Sequence, residues 1–253
     1  LRKAIKDRYG TLASQVTDGT EKSCCSPVDC CGPKNISTDI YELGQLEGMP
    51  SEAVMASLGC GNPTALAELR IGETVLDLGS GGGIDVLLAA KRVGPTGYVY
   101  GLDMTNEMLV LARENQRQVG IDNVEFLKGE LELIPLPSKS VDVVISNCVI
   151  NLAADKGLVI AEAFRVLKAG GRLAVSDIVR RRNVALSVQQ HMELWTGCLA
   201  GSLHESVYRS TLSVAGFEHV DIKSTRIYQG ADARELLPGE THESEEELDG
   251  AFM

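Results

Sequence analysis

The stretch Glu73–Gly83, ETVLDLGSGGG, constrains this chain more than any other. Thr74 to Leu78 is a short apolar run with β-branched members, the composition of a strand buried in a parallel sheet. Gly79, Ser80, Gly81, Gly82 and Gly83 follow at once, and then the helix-forming run Asp85 to Val93. Strand, glycine turn and helix bring bare backbone to the carboxyl end of a sheet, where a nucleotide-like ligand can lie against it. A dinucleotide fingerprint would need glycines at 79, 81 and 84, yet position 84 is Ile84. The spacing is instead Asp77-x-Gly79-x-Gly81-x-Gly83. Asp103 stands twenty residues beyond Gly83, at the end of the next predicted strand, Tyr98 to Leu102. A carboxylate there can accept both hydroxyls of a ribose.

The alternation continues. Thr105 is predicted to cap a helix through Val119, with Met108, Leu111, Ala112, Asn115 and Val119 on one face. Val124–Leu127 and Val141–Ser146 read as strands, and Asp155 caps a helix to Lys168 that Gly170-Gly171 ends. Arg172–Ser176 is a further strand, Ser187–Leu199 and Glu205–Ala215 are helices, and Val220–Tyr228 supplies closing strand material. Strands alternating with helices predict an α/β fold, a doubly wound and mostly parallel sheet of Rossmann-like type. Ahead of it, residues 1–17 are helix-forming with an interruption at Gly10, Ser51 can cap a short helix through Leu58, and Pro63 opens a helix to Leu69. The organisation expected is a helical, cysteine-rich covering segment over 1–62, the sheet domain over 63–230, and an acidic, solvated tail over 231–253.

Composition narrows the function. With 24 basic and 35 acidic residues the net charge is −11, which disfavours nucleic acid and anionic membrane as partners. No apolar run reaches membrane-spanning length and the first residues carry no leader-like apolar stretch, so a cytoplasmic protein is expected, and a monomer is the expected state. The seven cysteines are anomalous: Cys24, Cys25, Cys30, Cys31, Cys60, Cys148 and Cys198. Their odd number, in a fold large enough to need no staples, favours metal or redox chemistry over a disulfide framework. The first four lie in CCSPVDCC, which Pro27 and the Gly32-Pro33 turn mark as a loop. That spacing lacks the C-x2-C pairs of structural zinc and suits thiols that capture a soft ion or cycle through a disulfide.

The Asp77–Gly83 pattern resembles motif I of class I S-adenosylmethionine-dependent methyltransferases. That resemblance implies S-adenosylmethionine as cofactor, on Asp77, Gly79, Ser80, Gly81 and Gly83, with Asp103 on the ribose. Three other strand ends should complete the pocket: Met104 against adenine, Gly129-Glu130-Leu131 near its amine, and Asn147 with Cys148 beside the sulfonium. Cys148 then stands next to the reacting methyl, Cys198 on a helix and Cys60 in a glycine-bracketed loop. Thiolates are soft ligands that prefer thiophilic centres.

A narrower resemblance covers Leu58 to about Ile227. The runs LGCGNPTALAEL (58–69), VLDLGSGGGIDVLLAA (75–90), GLDMTNEML (101–109), ISNCVINL (145–152), EAFRVLKAGGRLAVSD (162–177) and MELWTGC (192–198) are similar to arsenite S-adenosylmethionine methyltransferases. The resemblance implies that Cys60, Cys148 and Cys198 bind As(III), whose lone pair takes the methyl group. It also implies a further cysteine from the amino-terminal segment, one of Cys24, Cys25, Cys30 and Cys31 with Cys31 favoured, and thiol reductants such as glutathione or thioredoxin. Two rivals remain: a quinone- or sterol-type carbon- or oxygen-methyltransferase, which gives the cysteines no task, and a non-catalytic metalloid-binding protein, which gives the glycine loop none.

Overall fold

The computed structural model describes residues 2–17, 48–57, 61–184, 201–229 and 249–253. Its centre is a five-stranded parallel sheet. The strands are β1 (Thr74–Leu78), β2 (Tyr98–Asp103), β3 (Val124–Lys128), β4 (Val141–Asn147) and β5 (Leu167–Ser176), in the order β3-β2-β1-β4-β5. The helices are α1 (Arg2–Thr17), α2 (Ser51–Met55), α3 (Pro63–Leu66), α4 (Ile84–Val93), α5 (Asn106–Val119), α6 (Lys156–Val166) and α7 (Glu205–Ala215), with a 3-10 turn at Ile150–Leu152. Successive side chains of a strand face opposite ways, so each buried strand feeds two cores. Val75, Val143 and Ile145 pack with residues of α4 and α5, while Leu76, Leu78 and Val144 pack with residues of α6. The doubly wound reading therefore holds. Strand order reverses between β1 and β4, and the crevice this opens lies at the carboxyl ends of the strands.

Several predicted boundaries shift for identifiable reasons. Gly10 does not interrupt α1, which runs unbroken to Thr17; a Cβ at Gly10 would stand 3.3 Å from Glu107, so the glycine lets α1 lie close to the start of α5. Pro50, not Ser51, occupies the cap position of α2, and the Ser51 hydroxyl turns to Glu52. Thr105 stands at the α5 cap without a side-chain bond, whereas Asp155 does cap α6 by accepting from the Leu158 N–H at 2.9 Å. Helix α6 ends at Val166 and not at the Gly170-Gly171 pair. Leu167 already pairs with Val141, and the register then shifts so that Arg172 faces Val143, placing both glycines inside the irregular start of β5.

The predicted strand Val220–Tyr228 does not form. Its side chains are mostly exposed, so joining the sheet would bury little, and its backbone turns to the chain's last residues. The Tyr228 N–H donates to the Phe252 carbonyl and the Gly250 N–H to the Tyr228 carbonyl. Met253 and Val179 exchange a reciprocal backbone pair, and Ala251 and Phe252 are fully buried. Residues 249–253, expected to be solvated, are thus docked beside α7. Phe252→Ala should lower unfolding stability by about 3–5 kcal/mol, the usual cost of emptying a buried aromatic site. Urea unfolding checks this, and a change under about 1 kcal/mol would mean that the terminus contributes no core.

Candidate active site

Backbone hydrogen bonds hold the glycine loop in place. The Gly79 and Ser80 N–H groups both donate to the Leu102 carbonyl, at 2.8 and 2.9 Å, so the loop is folded back onto the end of β2. Asp103, the next residue, accepts from the Gly81 N–H at 3.0 Å and the Thr105 N–H at 2.8 Å. Gly79 has φ +70, and a Cβ there would lie 2.4 Å from Val149. Gly83 has φ +89 and abuts Phe126 at the head of α4, so it serves packing.

These residues wall a cleft of about 1060 Å³, counted to its open mouth. Asp77, Gly79, Ser80, Gly81, Asp103, Met104, Gly129, Glu130, Leu131 and Asn147 all line it, as does Cys148; of the predicted cofactor positions Gly83 alone does not. Sequence reasoning missed Asp85, Met108 and the α1 side chains Arg2, Ile5 and Tyr9, which also line it. Asp85 opens α4 and reads as an ordinary helix-start acid, so only its 5% exposure betrays another task. Arg2 pairs with Glu130 at 2.8 Å and Glu132 at 3.1 Å across the mouth, tying α1 over the cleft.

The electrostatics are acidic. Burial, with Asp85 and Asp103 beside it, pushes the Asp77 carboxyl well above its ordinary range. Burial also raises Asp103, against the hydrogen bonds it accepts from Thr105 and Gly81. The Ser80 hydroxyl is buried and makes no hydrogen bond, which leaves a polar group free for a ligand. Among the described residues no cluster of histidine, cysteine or acid could hold a metal ion, and no helix is long and apolar enough to cross a membrane.

Cys148 is 4% exposed and takes φ +58, a left-handed conformation uncommon for non-glycine residues and shared among the described residues with Glu68, Lys139 and His219. Its N–H donates to the Ser176 carbonyl at 2.8 Å, which holds it at the joined ends of β4 and β5. The thiol is drawn into a disulfide where a free thiol was expected. Cys24, Cys25, Cys30, Cys31, Cys60 and Cys198 lie outside the described residues, as does the predicted helix Ser187–Leu199.

Fold and cleft together define a class. A model of the methyltransferase domain matches residues 69–230, and the chain belongs to that family. Within it, the chain is similar to arsenite methyltransferases, as the sequence motifs implied. It is 42% identical to the arsenite methyltransferase of Halobacterium salinarum over 87% of this chain and 58% of that protein. It is 32% identical to that of Homo sapiens over 81% and 54% respectively. Among solved structures it resembles an arsenic(III) S-adenosylmethionine methyltransferase from Chlamydomonas reinhardtii, with a TM-score of 0.63 and 38% identity over 73% of this chain and 62% of that one. The chain spans little more than half the length of these curated relatives.

Outside the cleft, Asp177 is an acid with a buried carboxyl oxygen. Asp177 follows β5 and accepts the Tyr208 hydroxyl at 3.1 Å, while its other oxygen is buried without a partner. Burial pushes its carboxyl up to about 7, opposed by the Tyr208 bond and by Lys156. Between the ordinary carboxylate value of 3.8 and about 7 the folded state therefore holds a proton that the unfolded chain has released. Stability should fall as pH rises through that window. Asp177→Asn should flatten the upper part of the profile; thermal unfolding between pH 4 and 8 checks it, and an unchanged slope would remove Asp177 as its source.

Proposed function

We propose that this chain is an S-adenosylmethionine-dependent methyltransferase whose acceptor is thiolate-bound As(III), giving methylated arsenicals. The observation that carries this reading is Cys148, held at φ +58 on the end of β4 and opening onto a glycine-walled cleft.

The cleft residues suit the donor. In front of Gly81 there is free space: a Cβ built there meets nothing nearer than the Met108 sulfur at 4.0 Å. Gly81 backbone, the Ser80 hydroxyl and the Asp103 carboxylate would hold the nucleoside, with Met104 and Gly129–Leu131 along the base. When bound, S-adenosylmethionine supplies an electrophilic methyl group on a positively charged sulfur. Asp77, Asp85 and Asp103 favour such a cation, since each ionised carboxylate is eased by positive charge nearby. On the acceptor side, As(III) is a soft centre with three bonds to make, and Cys60, Cys148 and Cys198 supply three soft ligands. Its lone pair is then the nucleophile, so the chain needs no general base. The protein's task is alignment and exclusion of water.

Cys148 must be a thiol to bind As(III), so its disulfide calls for a dithiol or glutathione reductant before turnover. The CCSPVDCC cysteines, with Cys31 foremost, would serve capture or redox cycling. A soluble, cytoplasmic and monomeric enzyme acting without nucleic acid fits the net charge of −11.

The test is S-adenosylhomocysteine formation by the reduced chain with and without arsenite. Arsenite-dependent product is expected, and product formed equally without arsenite would hand the site to another acceptor. Cys148→Ser should lower turnover by on the order of 100-fold or more, because ligands acting as a unit fail together. Donor affinity should stay within about twofold, since no ribose or base contact is lost.

The cradle makes a separate prediction. Gly81→Ala keeps a left-handed residue at a strain of roughly 1 kcal/mol and sends a methyl into the cleft. Donor affinity by calorimetry should fall at least about tenfold, or 1.4 kcal/mol, with little change in melting temperature. Unchanged affinity would put the nucleoside elsewhere.

A further inference from the structure

Glu162 and Arg165 belong to the run EAFRVLKAGGRLAVSD, yet neither lines the cleft. They stand one turn apart on α6 and pair twice, Arg165 Nε to Glu162 Oε1 at 2.6 Å and Nη2 to Oε2 at 2.8 Å. Together they grip the loop that joins β3 to β4. The Ile134 N–H donates to Glu162 Oε2 at 2.9 Å. Arg165 donates to the Ile134 carbonyl at 2.9 Å and to the Leu136 carbonyl at 2.8 Å. An ion pair on a helix surface adds little to folding by itself. This one is set apart by its three bonds to main chain on the two sides of Pro135. Pro135 in turn backs the cleft: a Cβ on Gly129 would lie 3.0 Å from it and 2.9 Å from Leu102. Gly129, Glu130, Leu131 and Glu132 line the cleft, and the Leu133 N–H closes that stretch by donating to the Glu130 carbonyl at 3.1 Å.

We propose that Arg165 and Glu162 are positioning residues for the methyl donor: they fix Ile134–Leu136 and, through Pro135 and Gly129, the standing of the cleft wall 129–132. The inference deepens the proposed function and rests on it for the donor's base lying along Gly129–Leu131. The loop is held at two places. Its start is tied to β2, where the Gly129 N–H donates to the Asp103 carbonyl at 3.1 Å, and its middle is tied to α6 by the pair. A wall held on both sides presents a base with a surface already set, which lowers the ordering cost of binding. A planar guanidinium, with donors on three nitrogens, can serve one carboxylate and two carbonyls at once; an ammonium offers its donors from a single point. The effect should fall on binding and not on the chemical step. Gly129 follows β3 and Cys148 follows β4, with β2 and β1 between them, three strand spacings or roughly 14 Å.

The test uses the full chain, kept reduced, as wild type, Arg165→Lys, Glu162→Gln and Lys168→Met. The last is a control: Lys168 pairs with Asp142 at 2.8 Å, joining the starts of β5 and β4 at the end of the sheet opposite the cleft. The readouts are amide hydrogen exchange of the ligand-free chain, calorimetric affinity for S-adenosylmethionine and for adenosine, and steady-state kinetics with arsenite. Arg165→Lys should speed exchange at Gly129, Leu133 and Ile134 by about tenfold or more and leave Gly79 and Ser80 as they were. Affinity for the donor and for adenosine should fall together by about fivefold or more, the scale of one ordinary hydrogen bond. The donor KM should rise by that factor with kcat at saturating donor within about twofold, the mark of binding lost equally from ground and transition states. Glu162→Gln keeps the volume and an acceptor for Ile134, so it should shift the same readouts by less, and it serves if Arg165→Lys does not fold. Lys168→Met should keep wild-type affinities. Unchanged affinities in Arg165→Lys overturn the proposal. So does an equal loss in Lys168→Met, which would trace the effect to general stability. A wild type that binds adenosine, weakens on Arg165→Lys and yet forms no arsenite-dependent product would retain the clamp and remove the arsenic reading.

Discussion

The Leu102 carbonyl accepts from both Gly79 and Ser80, and the rest of the site depends on that pair of bonds. They turn the chain sharply after β1, lay the glycine loop over the end of β2, and bring the Gly81 N–H to Asp103. With the loop so anchored, α4 must start at Ile84 and run down the sheet, placing Asp85 in the cleft wall. The Asn147 contact with Asp85 then carries the same geometry across to β4 and to Gly61. The two walls of the cleft are thus joined by one set of hydrogen bonds. Val149 enforces it sterically, because it occupies the space that any side chain at position 79 would need.

What could be read from the chain alone follows the range of the interactions involved. Strand β1 and helix α7 fall on their predicted bounds because local signals define them: an apolar run ended by glycines in one case, and a helix closed by Gly216 at φ +108 in the other. That the glycine loop and Asp103 share one cleft was readable for a related reason. Glycine spacing and an acid at the next strand end are features of one short βαβ unit. The misses are contacts made at a distance. Nothing in the Gly250–Met253 sequence says that Phe252 is fully buried with its carbonyl bonded to Tyr228, and nothing near Asn147 says that its amide reaches Gly61. The early start of β5 belongs to the same class, since Leu167 leaves the helix to pair with Val141, and that pairing exists only once the sheet does.

The charge pattern adds an argument independent of glycine spacing. A dinucleotide brings a pyrophosphate to the loop, and a helix amino terminus would welcome it. Here the same place is faced by Asp77, Asp85 and Asp103, with burial raising Asp77 and Asp103 above the ordinary carboxylate range. Of the loop N–H groups that could meet a phosphate, two are already spent on Leu102 and a third on Asp103. A ligand with ribose hydroxyls and a positive centre would meet the opposite situation: hydroxyls could donate to Asp103, and a cation would lower the cost of every ionised carboxylate around it. Loss of that positive charge on methyl transfer would weaken the attraction, so the acids that favour the charged donor favour its uncharged product less. The loop leaves open space in front of Gly81, and the three carboxylates line the same cleft.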